Sequence, residues 1–224
     1  MNYLIYNDDT HTKYNEKLID SVKAYSSFKI IIFDKKKIDE DFNVKYHHIL
    51  SQKRGGGYWI WKPYIIYHTL KDLQDNDILI YSDSSYYFTE KFEDLYKDHL
   101  KKSDIVVWHN KPNEGMNCMM TYCKPEVVYE YEMKDLVYNK KCIECWAGFI
   151  VIKKTDYSLK IMKEWLEMCC IKDHITDNID ANYHSDYFID YRHDQSLLSI
   201  LLYKHHIETH SFPKKYLQNV RNPY

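Results

Sequence analysis

Short apolar runs alternate with longer amphipathic stretches along this chain, which is the pattern of an α/β domain. Apolar residues recur at helical spacing over residues 12–26, between two of the short runs, so strand, helix and strand follow within about 35 residues. Such a βαβ unit has a right-handed crossover and makes the sheet parallel there. The predicted strands are residues 3–6, 29–33, 44–49, 78–81, 105–108 and 149–152.

Further amphipathic stretches predict helices at residues 62–73, 90–101, 155–169 and 194–205. Residues 171–191 are polar and irregular, and they are predicted to form a long loop, which in compact enzymes often acts as a lid or a substrate wall. No repeat, low-complexity tract or linker interrupts the pattern. Residues 1–224 are therefore predicted to form a single α/β domain, with a mostly parallel central sheet flanked by helices.

The charge balance and the length of the apolar runs narrow the class of protein. The 224 residues include 31 Lys and Arg against 33 Asp and Glu, a formal net charge of −2. This balance lacks the broad basic surface of a protein that wraps duplex nucleic acid, so no nucleic-acid partner is expected. The apolar runs are far shorter than the ~20 residues of a spanning helix, and the first residues lack a basic leader. We expect a protein without a transmembrane segment in the cytoplasm, or in the host cytoplasm if the source is a virus.

The segment DILIYSDSS at residues 77–85 is a buried-looking strand that ends in Asp83, followed by Ser84 and Ser85. In open α/β sheets, ligands collect at the carboxyl ends of the strands, which places Asp83 where a site would form. A carboxylate there can hold Mg²⁺ or Mn²⁺, and the cation can neutralise a diphosphate as it leaves. Alternatively, Asp83 only caps a turn together with the serines. The spacing favours neither interpretation.

The segment RGGGYWIWKP at residues 54–63 holds three of the five glycines and two of the five tryptophans. Consecutive glycines let backbone N–H groups approach an anion, and Pro63 suits the first turn of a helix, whose N-terminus favours negative charge. Arg54 and Lys62 place a positive charge at each end of the turn. The alternative is a flexible loop followed by core tryptophans. As a binding loop, the segment offers these candidates: Arg54, Gly56, Tyr58, Trp59 and Lys62.

Two later segments also carry candidate chemistry. YRHDQS at residues 191–196 precedes a very apolar run, and burying its polar side chains unpaired would cost roughly 1–3 kcal/mol each. A sugar would satisfy them, although a plain helix N-cap at His193 or Asp194 explains them as well. In IETHSFPKK at residues 207–215, His210 could add a nitrogen ligand to a metal, and Lys214 a cation for a diphosphate. The alternative is a surface histidine near basic residues.

In this order, GGGYWIWKP, DILIYSDSS, CWAGFIVIKKT and YRHDQSLLSILL resemble a family of small GT-A-type glycosyltransferases with bacterial and giant-virus members, distantly related to families 8 and 32. The resemblance spans about residues 3 to 210. It implies a GT-A (Rossmann-like) fold and a hexosyltransferase that uses a nucleotide sugar, a UDP-sugar, with Mn²⁺ or Mg²⁺. The acceptor it implies is a hydroxyl group of a glycan, a protein or a small molecule.

The same resemblance assigns roles residue by residue. Asp83-Ser84-Ser85 stands at the place of the family's DxD motif, with Ser85 where a second carboxylate usually chelates the ion. His210 resembles the late histidine that completes the metal shell, and Lys214 the lysine that follows it near the diphosphate. The resemblance therefore implies a metal site made of Asp83, Ser85 and His210.

Two further matches concern the donor substrate. Asp194 and Gln195 resemble the acid and amide that hold the donor sugar or the incoming hydroxyl. Asn7-Asp8-Asp9 resembles the turn that receives the nucleoside. Whether the reaction inverts or retains configuration depends on the face of the sugar on which Asp194 lies.

Two other functions stay open at this point. The missing second acid suits a protein that binds a nucleotide sugar or glycan without turnover. A metal-dependent nucleotidyltransferase on a similar sheet usually needs two metals and several clustered acids. This sequence offers them only if Asp8 or Asp9 joins Asp83.

Overall fold

The strands form two sheets in the computed structural model, which describes residues 1–8, 12–109, 118–137, 142–183, 185–212 and 214–219. The strands are β1 (Asn2–Asn7), β2 (Lys29–Asp34), β3 (Ile78–Ser82), β4 (Tyr86–Phe88), β5 (Ile105–His109), β6 (Trp146–Lys153), β7 (Thr209–Ser211) and β8 (Leu217–Asn219). The larger sheet has the order β2-β1-β3-β6-β5-β7, and only β6 runs against its neighbours. β4 and β8 pair antiparallel beside it. The predicted α/β class with a mostly parallel central sheet is confirmed.

The helices flank this sheet. They are α1 (Thr12–Tyr25), α2 (Glu40–Lys45), α3 (His47–Leu50), α4 (Gly55–Tyr58), α5 (Trp61–Asp72), α6 (Met119–Tyr122), α7 (Pro125–Glu130), α8 (Lys134–Val137), α9 (Asp156–Cys169), α10 (Lys172–Ile175) and α11 (Asp194–Lys204). Four 3₁₀ turns lie at Lys35–Lys37, Glu93–Leu95, His99–Lys101 and Lys214–Tyr216. The predicted helices at residues 12–26, 62–73, 155–169 and 194–205 are confirmed as α1, α5, α9 and α11. No helix among the described residues is long and apolar enough to cross a bilayer.

The central strands separate two apolar layers, because successive side chains of a strand point to opposite faces. Leu4 and Leu79 face a cluster formed with α5, α9 and α11. Tyr3 and Ile80 face a second cluster, formed with α1 and with the chain around β4. Burying side chains of this size contributes roughly 1.5–3 kcal/mol each. The sheet is therefore covered on both faces, and its carboxyl edge is left for a site.

Two predicted elements are wrong. The predicted strand at residues 44–49 is helical, because the side chain of Asp39 accepts hydrogen bonds from the backbone N–H groups of Asp41 and Phe42 and so starts α2. Val44 is 73% exposed, which does not fit a buried strand. The predicted helix at residues 90–101 is reduced to two 3₁₀ turns. The chain there buries Phe92 and neighbouring apolar side chains against the sheet without a longer helix.

Residues 171–183 and 185–191 form a loop that begins with one short helix, α10. The buried ammonium of Lys124 donates hydrogen bonds to the backbone carbonyls of Asp173 at 2.8 Å and Asn178 at 2.5 Å. A ring nitrogen of His193 lies 2.7 Å from the carbonyl oxygen of Ile175. These contacts hold the loop beside the start of α11. This position fits the prediction that the loop forms a wall of the site.

The glycine segment makes one left-handed turn immediately before α5. Positive φ angles run through five consecutive residues: Gly55 at 60°, Gly56 at 59°, Gly57 at 98°, Tyr58 at 52° and Trp59 at 62°. A left-handed conformation costs roughly 1–2 kcal/mol for each residue with a side chain, and glycine avoids this cost. Three consecutive glycines therefore permit the turn, which delivers the next residues to the carboxyl edge of the sheet.

We expect Gly57→Ala to destabilise the protein far more than its neighbour Gly56→Ala. A Cβ atom on Gly57 would lie 2.7 Å from the backbone Cα of Leu50, whereas one on Gly56 would meet only Trp61, at 3.8 Å. The left-handed backbone lowers the free energy of unfolding of both variants by about 1 kcal/mol. In Gly57→Ala the backbone clash lowers it by about 1–3 kcal/mol more. Thermal unfolding should show a loss of roughly 3 °C for Gly56→Ala and roughly 10 °C for Gly57→Ala. Equal losses would contradict the close approach of this turn to α3.

Candidate active site at the carboxyl edge of the sheet

Three segments that are distant in sequence meet at the carboxyl edge of the central sheet. Asp83 directly follows β3, Lys62 lies in the first turn of α5, and Asp194 is the first residue of α11. The ammonium nitrogen of Lys62 lies 3.3 Å from Oδ1 of Asp83 and 3.1 Å from Oδ2 of Asp194. The glycine segment, the strand-end acid and the acidic helix start therefore share one site. We refer to Lys62, Asp83 and Asp194 together as the ionic cluster.

The ionic cluster is largely buried. The side chains of Lys62 and Asp194 are 5% and 4% exposed, whereas that of Asp83 is 33% exposed. Burial by itself lowers the pKa of Lys62, but the charges of Asp194 and Asp83 raise it above its ordinary value, so the ammonium stays protonated. Burial raises the pKa of Asp194 to about 6 against the opposing effect of Lys62. At neutral pH Lys62 is therefore a cation and Asp194 an anion.

Asp83 is held through its carboxylate and through its backbone. The hydroxyl group of Tyr81 donates a hydrogen bond to its Oδ1 at 2.7 Å. The backbone N–H of Asp83 donates to the carbonyl oxygen of Gly148, at 2.9 Å, on the neighbouring strand β6. Its side chain therefore faces Lys62 and Asp194. The alternative, in which Asp83 only caps a turn, does not account for these contacts.

Asp194 is presented by a constrained helix start. The preceding His193 has φ 50° and ψ −116°, and its side chain makes no capping hydrogen bond to α11. The indole N–H of Trp165 donates to the carbonyl oxygen of Asp194 at 2.8 Å. The N-terminus of a helix also favours a negative charge. The motif does start a helix, with His193 at the N-cap position, but the side chain of Asp194 pairs with Lys62.

Gln195 is held by a buried acid that the sequence analysis missed. Its amide nitrogen donates to Oε2 of Glu144 at 2.9 Å, and its amide oxygen accepts from the backbone N–H of Ala147 at 3.2 Å. Glu144 also accepts a hydrogen bond from the hydroxyl of Ser196 at 2.8 Å and lies 3.3 Å from the guanidinium of Arg192. Burial raises the pKa of Glu144 to about 7. In the sequence, Glu144 stands alone between apolar residues, and a carboxylate buried there needs a polar partner. This pattern was the available signal for Glu144.

The remaining candidates of the glycine segment anchor the loop at residues 171–191. The guanidinium of Arg54 donates to Asp177 at 2.8 Å and to Asp190 at 3.3 Å. The rings of Tyr58 and Trp59 lie 4.8 Å and 5.5 Å from the ring of His193, measured between centroids. Gly56 lies inside the left-handed turn and carries no side chain to the site.

Two adjoining cavities open around the ionic cluster. The charged cavity, of about 230 Å³, is lined by Arg54, Lys62, Asp190, Arg192, Asp194 and Gln195, among others. The aromatic cavity, of about 260 Å³, is lined by Tyr6, Trp61, Tyr81, Ser85 and Tyr86, among others. Trp59 and Asp83 line both cavities. The exposed part of Asp83 therefore stands at the boundary between a polar space and an aromatic one.

Asn7 lies at the same edge of the sheet, but its side chain joins structural elements. Its amide nitrogen donates to Asp34 at 3.3 Å, and its amide oxygen accepts from Asn15 at 2.9 Å and from the hydroxyl of Thr12 at 3.1 Å. These bonds tie β1 to β2 and α1. The backbone carbonyl of Asp8 accepts from Thr12 at the start of α1, and Asp9, the last residue of that predicted turn, lies outside the described residues.

The structure does not bring His210 to Asp83. In sheet order, His210 on β7 is separated from β3 by β6 and β5. Its ring stacks on that of His99 at 3.6 Å and lines another cavity, of about 500 Å³. His210 pairs with Trp108 near the carboxyl end of β5, whereas the cavity also includes Asp104, just before β5, and so extends toward the amino edge of the sheet. The side chain of Lys214 lies outside the described residues.

The residues present do not fit a divalent cation. Oδ1 of Asp83 already accepts from Tyr81 and pairs with Lys62. Ser85, in place of a second acid, lines the aromatic cavity beside it, and His210 is on another part of the sheet. Among the side chains that the structure describes, no group of three or more His, Cys, Asp or Glu could hold a metal ion. The proposed metal set of Asp83, Ser85 and His210 is therefore not assembled.

Comparisons with known proteins identify the fold. No protein-family profile matches the sequence, and no curated protein sequence matches it. Mouse xyloside xylosyltransferase 1 superposes with a TM-score of 0.50 at 8% identity, over 94% of this chain and 83% of that one. The bifunctional glycosyltransferase WbbM gives a TM-score of 0.55 at 13% identity, over 95% of this chain. GlyE of Streptococcus pneumoniae TIGR4 gives 0.50 at 12% identity, over 94% of this chain.

The chain has a GT-A glycosyltransferase fold. It spans 38% of the WbbM chain and 45% of the GlyE chain, so it is similar to one part of those longer proteins. In this GT-A fold, the ionic cluster and the two cavities lie at the carboxyl ends of the strands, where open α/β sheets bind their ligands.

We expect Glu144→Gln to change how stability depends on pH. The folded-state pKa of Glu144, about 7, lies above its ordinary value of 4.5. The folded chain therefore holds this proton more tightly, and the contribution of Glu144 to stability falls as pH rises through that window. Between pH 5 and pH 8 the wild type should lose about 2 kcal/mol that Glu144→Gln does not lose. Denaturant unfolding of both proteins at the two pH values measures this difference.

The matched control is Glu16→Gln on α1, where the side chain is exposed. It should follow the wild-type pH dependence. Parallel stability curves for Glu144→Gln and the wild type would show that Glu144 does not carry a raised pKa.

Proposed function

We propose that this protein transfers a sugar from a nucleoside diphosphate sugar, a UDP-sugar, to a hydroxyl group of a glycan, a protein or a small molecule. The observation that carries this proposal is the ionic cluster, in which a buried ammonium stands between two carboxylates where an aromatic and a charged cavity meet. The GT-A fold supports it, because the cluster lies at the ligand-binding edge of that fold.

The aromatic cavity suits the nucleoside. Tyr6 and Trp61 are stacked in its wall, with ring centroids 3.8 Å apart and planes 9° apart. This pair is buried, and the half-buried rings of Trp59 and Tyr86 line the same cavity. Flat aromatic surfaces bind the face of a base by stacking, and hydroxyls such as that of Ser85 can bind polar edges. Together the two cavities fall within the size range of small-ligand sites. The base then lies over the first βαβ unit, near the end of β1.

The charged cavity suits the diphosphate and the sugar. Lys62 lies next to the boundary of the two cavities, where a diphosphate between base and sugar would be placed. Arg54 and Arg192 line the same cavity, where Arg54 also pairs with Asp190 and Arg192 with Glu144. The sugar projects toward Asp194 and Gln195, which offer acceptors and donors for its hydroxyl groups.

The chemical step is a substitution at the anomeric carbon of the sugar. The acceptor oxygen forms the new bond to that carbon, and the bond to the diphosphate oxygen breaks. The leaving diphosphate gains negative charge, which fixed cations stabilise. The proton of the acceptor hydroxyl passes to a base, a role for Asp194, whose pKa of about 6 leaves it ionised at pH 7.

The proposal is tested by a screen of UDP-sugars and other nucleotide sugars for release of the nucleoside diphosphate. The wild type should release it, and Asp194→Asn should lower kcat about 100-fold or more, because an amide cannot accept the proton. Asp20→Asn on the exposed side of α1 is the matched control and should retain wild-type activity.

Two results would contradict a transferase. Binding of a nucleotide sugar without release under any condition indicates the non-catalytic binding protein. Absence of any interaction with nucleotide sugars overturns both functions. A nucleotidyltransferase would need Asp8 or Asp9 beside Asp83 to hold two metal ions. Asp9 lies outside the described residues, and among the side chains that the structure describes no group of three or more His, Cys, Asp or Glu could hold a metal ion.

A further inference from the structure

We propose that the ammonium of Lys62 takes the place of the divalent cation, so that this site binds a nucleoside diphosphate and turns over its sugar conjugate without a metal ion. This inference rests on the proposed function. It starts from the position of one nitrogen atom, which lies 3.3 Å from Oδ1 of Asp83 and 3.1 Å from Oδ2 of Asp194.

The carboxylate oxygens of Asp83 and Asp194 come from two different elements and converge on this nitrogen. A Mg²⁺ or Mn²⁺ ion that bridged the same oxygens would need distances near 2.1 Å. It would then overlap the space of the ammonium and repel its charge. The side chain of Lys62 is 5% exposed, so it has little room to move aside.

The sequence position of Lys62 adds to this argument. A lysine in the first turn of a helix lies at the positive end of the helix dipole, which disfavours it. The left-handed turn before α5 nevertheless delivers Lys62 to this place, and its backbone N–H donates to the carbonyl oxygen of Trp59 at 2.9 Å. The two carboxylates, and not the local helix, account for the ammonium being here.

The carboxylates are themselves fixed before any ligand binds. Tyr81 donates to Asp83 at 2.7 Å, and Trp165 donates to the backbone carbonyl of Asp194 at 2.8 Å. The two carboxylates therefore hold the ammonium of Lys62 in place, and a preorganised cation stabilises a developing negative charge without having to move first. A structural cation built into the chain has this property, whereas a metal ion must be captured with the substrate.

An ammonium group has three N–H donors. Two of them can point to Asp83 and Asp194, and the third is left for a ligand in the charged cavity, which Lys62 lines. A phosphate oxygen at the cavity boundary would take this donor as a charge-assisted hydrogen bond. Ser85, which stands where a second metal-chelating acid would be required, then has no metal to hold.

Titration calorimetry with UDP as the probe tests the inference on the wild-type protein. UDP should bind with the same Kd, within about twofold, in EDTA and in excess Mn²⁺, because Lys62 supplies the cation in both. Turnover of a UDP-sugar should likewise be unaffected by EDTA. A more than tenfold gain in affinity or turnover on adding Mn²⁺ overturns the inference and leaves the proposed function standing. Absence of UDP binding in both conditions overturns the two together.

The variant arm compares Lys62→Met with Lys71→Met, an exposed lysine of the same helix. Lys62→Met should weaken UDP binding about 10- to 100-fold in EDTA and in Mn²⁺ alike, whereas Lys71→Met should leave it unchanged. Circular dichroism establishes that each variant is folded. If Lys62→Met is unfolded, the wild-type comparison above still decides the outcome. Wild-type affinity in a folded Lys62→Met overturns the inference.

Discussion

The structure depends on one buried ion pair network, in which Lys62 stands between Asp83 and Asp194. Removing charges from water costs several kcal/mol for each ion, and the attraction between them offsets this only when the geometry is good. Breaking such a pair by removing one partner leaves an uncompensated charge and costs about 3–5 kcal/mol. The glycine turn, the end of β3 and the start of α11 must therefore keep a fixed relative position.

The surrounding structure meets this requirement with neutral partners. Tyr81 and Gly148 hold Asp83, and Trp165 holds the backbone of Asp194. Directly before α11, the backbone of His193 has φ 50°, far from the helical region. Such conformations persist where the surroundings over-determine them and often mark functional sites. The same contacts that stabilise the fold thus orient the charges that face the two cavities.

A second layer of polar contacts lies behind the site. Glu144, in the chain leading into β6, binds the amide of Gln195 and the hydroxyl of Ser196, both in the first turn of α11. Arg54 binds Asp177 and thereby connects the glycine turn to the loop after α10. Gln195 and Arg54, which the sequence assigned to ligand binding, therefore have structural partners as well.

The sequence by itself determined the α/β class, the strand that ends before Asp83 and the glycine segment before α5, because apolar periodicity and consecutive glycines act through neighbouring residues. It placed Asp83 at a strand end and Asp194 at a helix start for the same reason. Only the tertiary structure decided that Lys62 lies between these two acids, that Glu144 supports Gln195, and that His210 belongs to another cavity. Those contacts join segments that are distant along the chain. Strand order and packing bring these segments together, and local patterns do not encode either.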